Sequence, residues 1–290
     1  MLRKITRIAV IAMAVCAAAA AARAAELNDP KEIMNQSWEY IDSLKSYSYV
    51  MWAEGWEKDL SDVQNRTKNV AGEVASKYSE KLASNAKEAP KSSSKPKKMG
   101  YHVTFKFMKP YLLQMVVTHS DYVPKIVYGS IMTFRPDKDA TVFWFNPRFS
   151  PIGIKRGVDT ESGTLFISTM EMEFIMMDTL GMDAKPVLKG VKQVDGADCY
   201  DVAFEFPKGK KVKEHPVDFK KWSDVPKEIH FSITKQSKGY VDKEISSVHY
   251  LFDKKNLWLR GTEEYDADGK LKYSKWYRDV TENNLNEVDF

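Results

Sequence analysis

Between residues 225 and 290 the chain carries four runs rich in aromatic and β-branched side chains, 228–234, 241–252, 256–265 and 271–280, separated by short polar breaks. Runs of this length and composition read as strands, and breaks this short join antiparallel neighbours. The breaks are Ser237, Lys238 and Gly239, then Asp253, Lys254 and Lys255, then Asp266 to Gly269. In the last, Gly269 supplies the positive φ of a tight turn, while Asp266 and Asp268 bond back to their own backbone. No catalytic grouping falls in this stretch, which turns the reading toward binding.

The chain opens with Arg3, Lys4 and Arg7, an apolar stretch over 8–22, and Ala22, Arg23 and Ala24, in the order of a cleavable export signal. Fifteen apolar residues, mostly alanine, are too few to span a bilayer, so residues 1–24 are expected to be removed. Cys16 is not expected to carry lipid, because Val15 before it is not small. Cys199 then remains as the only thiol, and no disulfide closes within the chain. Lys plus Arg number 44 against 40 acidic residues, and the four in excess, Arg3, Lys4, Arg7 and Arg23, leave with the signal. Net charge therefore gives no support to a nucleic-acid partner.

The mature part, 25–290, is expected to be a single β-rich domain. Asp29, Pro30 and Glu32 have the order of a helix start, and Ile33, Trp38, Ile41 and Leu44 give the helix an apolar side as far as residue 45. A strand follows over 47–56. Residues 60–98 change composition abruptly and read as an insertion: Val70, Val74, Tyr78, Leu82 and Ala86 recur at helical spacing, and the tail from 87 is rich in Lys, Ser and Pro. A solvated excursion and a docking segment for a membrane surface or partner are both open.

From residue 101 strands resume. Tyr101, Val103, Phe105 and Phe107 share one face, continued by Leu113, Met115 and Val117, with further strands at 125–129 and 140–146. Residues 159–180 read as a second helix, with Phe166, Met170, Phe174 and Met177 on one side and Ser168, Glu171 and Asp178 on another. Four methionines, Met170, Met172, Met176 and Met177, fall within eight residues, a composition that packs a core or adapts to varied ligands. Strands at 185–194 and 199–207, a basic loop over 208–213 and the four closing strands complete the sheet.

No nucleophile elbow, Gly-rich phosphate loop or His-Glu-x-x-His segment occurs. The five histidines are scattered; His230 and His249 read as a polar pair across neighbouring strands, and Cys199 as an inert thiol. Carboxylates are abundant but cannot be paired from sequence, which leaves a two-carboxylate hydrolase as a minor reading.

The ending, Glu264 to Leu271, then Tyr277 to Val280, Asn284, Leu285, Asp289 and Phe290, resembles the close of an uncharacterised bacterial family in the periplasmic outer-membrane lipoprotein carrier (LolA-like) superfamily. Gly196 to Val202 is similar to a strand-turn element of the same group. The resemblance covers 27–56 and 101–290, with the 60–98 insertion as a departure. It implies an α+β fold, a curved antiparallel sheet of about ten strands forming an open half-barrel, with helices over its concave face. It further implies a periplasmic, non-enzymatic carrier or chaperone whose hydrophobic cavity holds acyl chains of a lipid or lipoprotein, with no cofactor and no metal. The alternative is an envelope sensor or protein-interaction module on the same fold.

An open sheet whose own side chains do not fill its concave face must be covered by a helix or a ligand. Candidate lining residues are Phe105, Phe107, Leu113, Met115, Val117 and Trp144 from the sheet, with Phe166, Met170, Phe174 and Met177 from the second helix. A monomer without a transmembrane segment after signal removal is expected.

Overall fold

The computed structural model describes residues 27–56, 98–121, 125, 128–148, 153–159, 169–207, 213–237 and 245–290. The signal, almost all of the 60–98 insertion, Phe166 and residues 208–212 of the basic loop lie outside them.

Helix α1, Pro30–Ser43, begins where Asp29 accepts a hydrogen bond from the Lys31 amide at 2.9 Å with Pro30 in the first turn. Its apolar side is buried through Ile33 and Ile41. Strands β1 (Ser46–Trp56), β2 (Lys98–Met108), β3 (Leu112–Ser120) and β4 (Ile131–Phe134) follow. A single helical turn, α2 (Pro136–Asp139), precedes β5 (Val142–Asn146) and β6 (Ile154–Gly157). Helix α3 spans Met170–Gly181, then come β7 (Pro186–Val194) and β8 (Ala197–Glu205), a 3-10 turn at Lys227–Ile229 continuing into α4 (His230–Ser237), and β9 (Ser247–Asp253), β10 (Leu259–Tyr265) and β11 (Leu271–Glu282).

Among the described residues, eleven strands form one open antiparallel sheet in the order β6-β5-β4-β3-β2-β1-β11-β10-β9-β8-β7. The first and last strands of the chain's meanders meet in the centre, where β1 pairs with β11. The two edges are β6 and β7, and they do not pair, so the barrel stays unclosed.

Alternation gives the sheet two unlike faces. One carries Tyr47, Tyr49, Met51, Val103, Phe105, Leu113, Phe134, Phe204, Tyr250 and Tyr277, all buried in a continuous core with α1 and α3. The opposite face carries one cross-strand row, Gly261, Trp276, Trp52, His102 and His119, in successive register. The Trp276 ring lies against Gly261, where a Cβ would stand 2.5 Å from the indole and 2.6 Å from the Lys275 carbonyl oxygen. Only glycine admits that approach.

The turn chemistry at 266–269 holds: Gly269 has φ of 73°, and Asp266 accepts from the Asp268 and Lys270 amides. Three expectations do not hold. Residues 228–234 are helical, because Ile229 and Ile233 stand four apart and both bury against the core, while Phe231, which a strand would have buried with them, is 52% exposed. Three strands therefore close the chain, and His230 stacks on Phe219 at 3.6 Å without sharing a strand with His249. Lys125, Tyr128 and Gly129 belong to turns and not to a strand; the next strand begins at Ile131. The second helix starts at Met170 and not at 159, capped by the Thr169 hydroxyl, which accepts from the Met172 amide at 3.2 Å.

Candidate functional site

Helix α3 is the cover of the apolar face. Ten of its twelve residues are buried, including Met170, Met172, Phe174, Ile175, Met176, Met177 and Leu180. The two-sided helix read from the sequence is thus buried nearly all round, with Glu171 and Glu173 taken inside as well.

Of the candidate lining residues, Phe105, Phe107, Leu113, Met115, Met170, Phe174 and Met177 are brought together in one core, and Val117 packs at its margin. Phe174 contacts Trp38 of α1 with ring centroids 5.3 Å apart, and Trp38 in turn meets Trp222 edge-on at 4.8 Å. Trp144 stands apart. It pairs with Thr133 and Lys155 on the opposite face, the Lys155 ammonium 4.4 Å from its ring, and its neighbour Phe143 takes the core position. A one-residue step along a strand reverses the face, and the alternation of 140–146 did not say which set faced inward.

The sequence reading missed the polar residues of this core. The Glu173 Oε1 atom accepts from the Lys275 ammonium at 2.6 Å and from the Tyr277 hydroxyl at 2.7 Å. The Tyr111 hydroxyl donates to Glu171 Oε2 at 2.7 Å, and the Tyr47 hydroxyl accepts from the Met170 amide at 3.2 Å. All four bonds fall on residues 170–173, so the first turn of α3 is tied to the sheet and to the connection before β3. A signal did exist: Tyr273, Lys275 and Tyr277 share a face by alternation, placing a lysine inside an aromatic row.

Burial pushes the Glu171 carboxyl up to about 7; the Tyr111 hydrogen bond opposes this and the charges of Asp224 and Asp42 add to it. Burial works against the charge of Lys275, but the Glu173 carboxylate outweighs it by charge and hydrogen bond, and the ammonium's pKa ends above its ordinary value. Burial, then neighbouring carboxylates, raises Tyr111 and Tyr277 far above the phenol range. Of these groups Glu173 and Lys275 form an ion pair, while the Glu171 carboxyl has the Tyr111 hydroxyl as its partner.

Glu171 and Glu173 stand about 200° apart around the helix axis and bind different partners, so they do not face each other across a cleft as a two-carboxylate hydrolase requires. Cys199 is buried, and burial pushes its thiol up to about 12, the behaviour of an inert core cysteine. Among the described residues no group of three or more His, Cys, Asp or Glu side chains is arranged to hold a metal ion, and no helix is long and apolar enough to cross a membrane.

No family model and no curated protein matches this chain. Its structure is similar to that of an uncharacterized conserved protein from Thermus thermophilus, at 6% identity and a TM-score of 0.42 over 89% of this chain and 90% of the other. It is similar to the lipoprotein LppX of Mycobacterium tuberculosis at 9% identity and a TM-score of 0.41, covering 89% of this chain and 97% of that one. It is also similar to a LolA superfamily protein from Nitrosomonas europaea at 10% identity and a TM-score of 0.30, covering 91% and 98%. At these values the likeness carries no inference about what the chain binds.

Proposed function

We propose that this chain is an exported, non-enzymatic carrier or chaperone that shelters the acyl chain of a lipid or lipoprotein between its open sheet and helix α3, with α3 as a displaceable lid. The observation that carries the reading is a helix with four methionines laid over an aromatic sheet face. Methionine side chains are unbranched and adapt to whatever they touch, so the surface α3 covers can exchange one flexible apolar occupant for another.

The face is filled by the chain's own helix, so loading requires α3 to move. Its N-terminal turn is held by the Glu171, Glu173 and Met170 bonds, while its other end runs through exposed Gly181 and Met182 toward β7. Opening would therefore part the first turn from the sheet and pivot about 181–185. Each buried methylene contributes about 0.8 kcal/mol, so an acyl chain of about sixteen carbons offsets on the order of 10 kcal/mol of displaced side-chain packing.

The test is native mass spectrometry of gently purified protein, followed by exposure to lipid vesicles. Bound lipid is expected, and Met170→Asp with Phe174→Asp should remove it while the sheet, followed by circular dichroism, persists. A wild-type protein that neither arrives with lipid nor takes it from vesicles defeats the carrier reading.

A further inference from the structure

The opposite face holds buried carboxylates too, and there both oxygens of each are satisfied. Asp253 accepts from the Lys255 amide on one oxygen and from the Arg260 guanidinium on the other; Glu263 accepts from Lys192 on both and from Tyr265. Under α3 the pattern changes. Glu173 takes both of its partners, Lys275 and Tyr277, on Oε1, and its Oε2 is buried without one. The Thr262 hydroxyl, directly across the strand pair from Lys275, is buried without a partner as well. Buried polar atoms are ordinarily satisfied, so two orphans beside one ion pair mark a place where something else binds.

The surroundings suit a small polar group. Lys275, Ala53 and Tyr101 lie in one cross-strand row, with Gly55 and Tyr273 paired in the next, so the floor between Lys275 and the two phenols is built from the smallest side chains of β1. Tyr101 and Tyr273 bridge by their hydroxyls at 3.3 Å and are only half-buried, and the Lys275 side chain keeps 18% of its surface exposed. The ion pair is thus reachable from solvent at this margin of the core.

We propose that the Glu173–Lys275 pair is the recognition site for a zwitterionic lipid headgroup that carries a primary ammonium and a phosphate. This rests on the carrier reading. When α3 parts from the sheet, Glu173 leaves with the helix and loses its cation, while Lys275 stays on β11 with only the Glu264 carboxylate of its own face nearby. A headgroup with both signs inserts between them, its ammonium taking the place of Lys275 at Glu173 and its phosphate taking the place of Glu173 at Lys275. An anionic lipid answers only Lys275. A quaternary ammonium has no N–H to offer Glu173 Oε2, so the orphan acceptor selects a primary amine.

The full-length exported chain would be mixed with vesicles of phosphatidylethanolamine and phosphatidylglycerol in equal parts, of phosphatidylcholine and phosphatidylglycerol in equal parts, or of phosphatidylglycerol alone, and the retained lipid identified by mass spectrometry. Phosphatidylethanolamine is expected to be retained about tenfold over the other two. The double variant Glu173→Gln/Lys275→Met, which leaves no unpaired charge and so keeps the fold, should still take lipid but without preference. Equal uptake of all three lipids, as expected if only a water molecule satisfies Oε2, overturns the headgroup site while the carrier reading stands. A preference that survives in the double variant overturns it too. Uptake of none overturns both, and binding of soluble phosphoethanolamine without uptake from any vesicle overturns the lipid assignment.

Discussion

The two faces of this sheet are made by the same alternation in the same strands and both bury paired carboxylates, yet they treat aromatic rings in opposite ways. On the face under α3, Phe105, Tyr49 and Tyr277 are sealed, and so are Glu171 and Glu173, with the mostly buried Lys275 at the margin. On the other face Trp52 stacks on His102 at 4.1 Å with the Arg278 guanidinium 4.4 Å from its ring, and all three remain partly exposed. Residue type alone therefore does not decide burial here. For the aromatic rings the difference is whether a helix lies on top, and a helix that brings carboxylates of its own needs partners waiting on the sheet.

The sharpest way to break this comparison is Lys275→Met. Removing one partner of a buried pair leaves Glu173 uncompensated, and a loss of about 3–5 kcal/mol is expected in urea unfolding. Adding Glu173→Gln should recover most of it, because the neutral pair carries no desolvated charge. A single variant as stable as wild type would mean that the pair is not held in a dry interior.

Glu171 gives the next effect, through pH. Its folded pKa of about 7 stands above its unfolded value, so the folded chain binds more protons between them and stability falls as pH rises from about 4.5 to about 7. A shift of roughly 2.5 pH units corresponds to about 3 kcal/mol. Glu171→Gln should flatten that slope and leave the protein more stable than wild type at pH 8, read by thermal unfolding across pH. An unchanged slope would place the titrating group elsewhere.

The smallest effect belongs to the uncovered face. Arg278 bonds to Asp195 at 2.7 and 3.1 Å, but their side chains are 32% and 50% exposed. Arg278→Ala should cost no more than about 1 kcal/mol, and less in high salt. A loss comparable with that of Lys275→Met would erase the distinction between the faces.

Much of the sheet was legible because strand alternation is local. The row of Val103, Phe105 and Phe107 and its continuation through Leu113 and Met115 read correctly from spacing alone, as did the Asp29 cap and the Gly269 turn. Residues 228–234 misled because Ile229 and Ile233 satisfy both a period of two and a spacing of four. Trp144 and Phe143 misled because a short aromatic run offers either neighbour to the core. Glu171 was read with Ser168 and Asp178 on the side of the helix away from the apolar stripe, Glu173 was not singled out, and nothing near them in sequence pointed to burial. Their partners are Tyr111, 60 positions before Glu171, and Lys275, 102 positions after Glu173.

Local pattern alone was enough for an antiparallel meander, the 266–269 turn and the apolar side of β1, β2, β3 and the first helix, since these depend on neighbours one to four residues apart. Only the tertiary structure decided that β1 closes against β11 and that the methionine helix lies inside the resulting sheet. It alone decided, too, that Glu171, Glu173 and Glu264 are buried on the covered face with Lys275 at its margin. Those outcomes depend on charges and surfaces meeting across a hundred residues or more, where low dielectric turns an ordinary polar side chain into a buried bond that must find its partner.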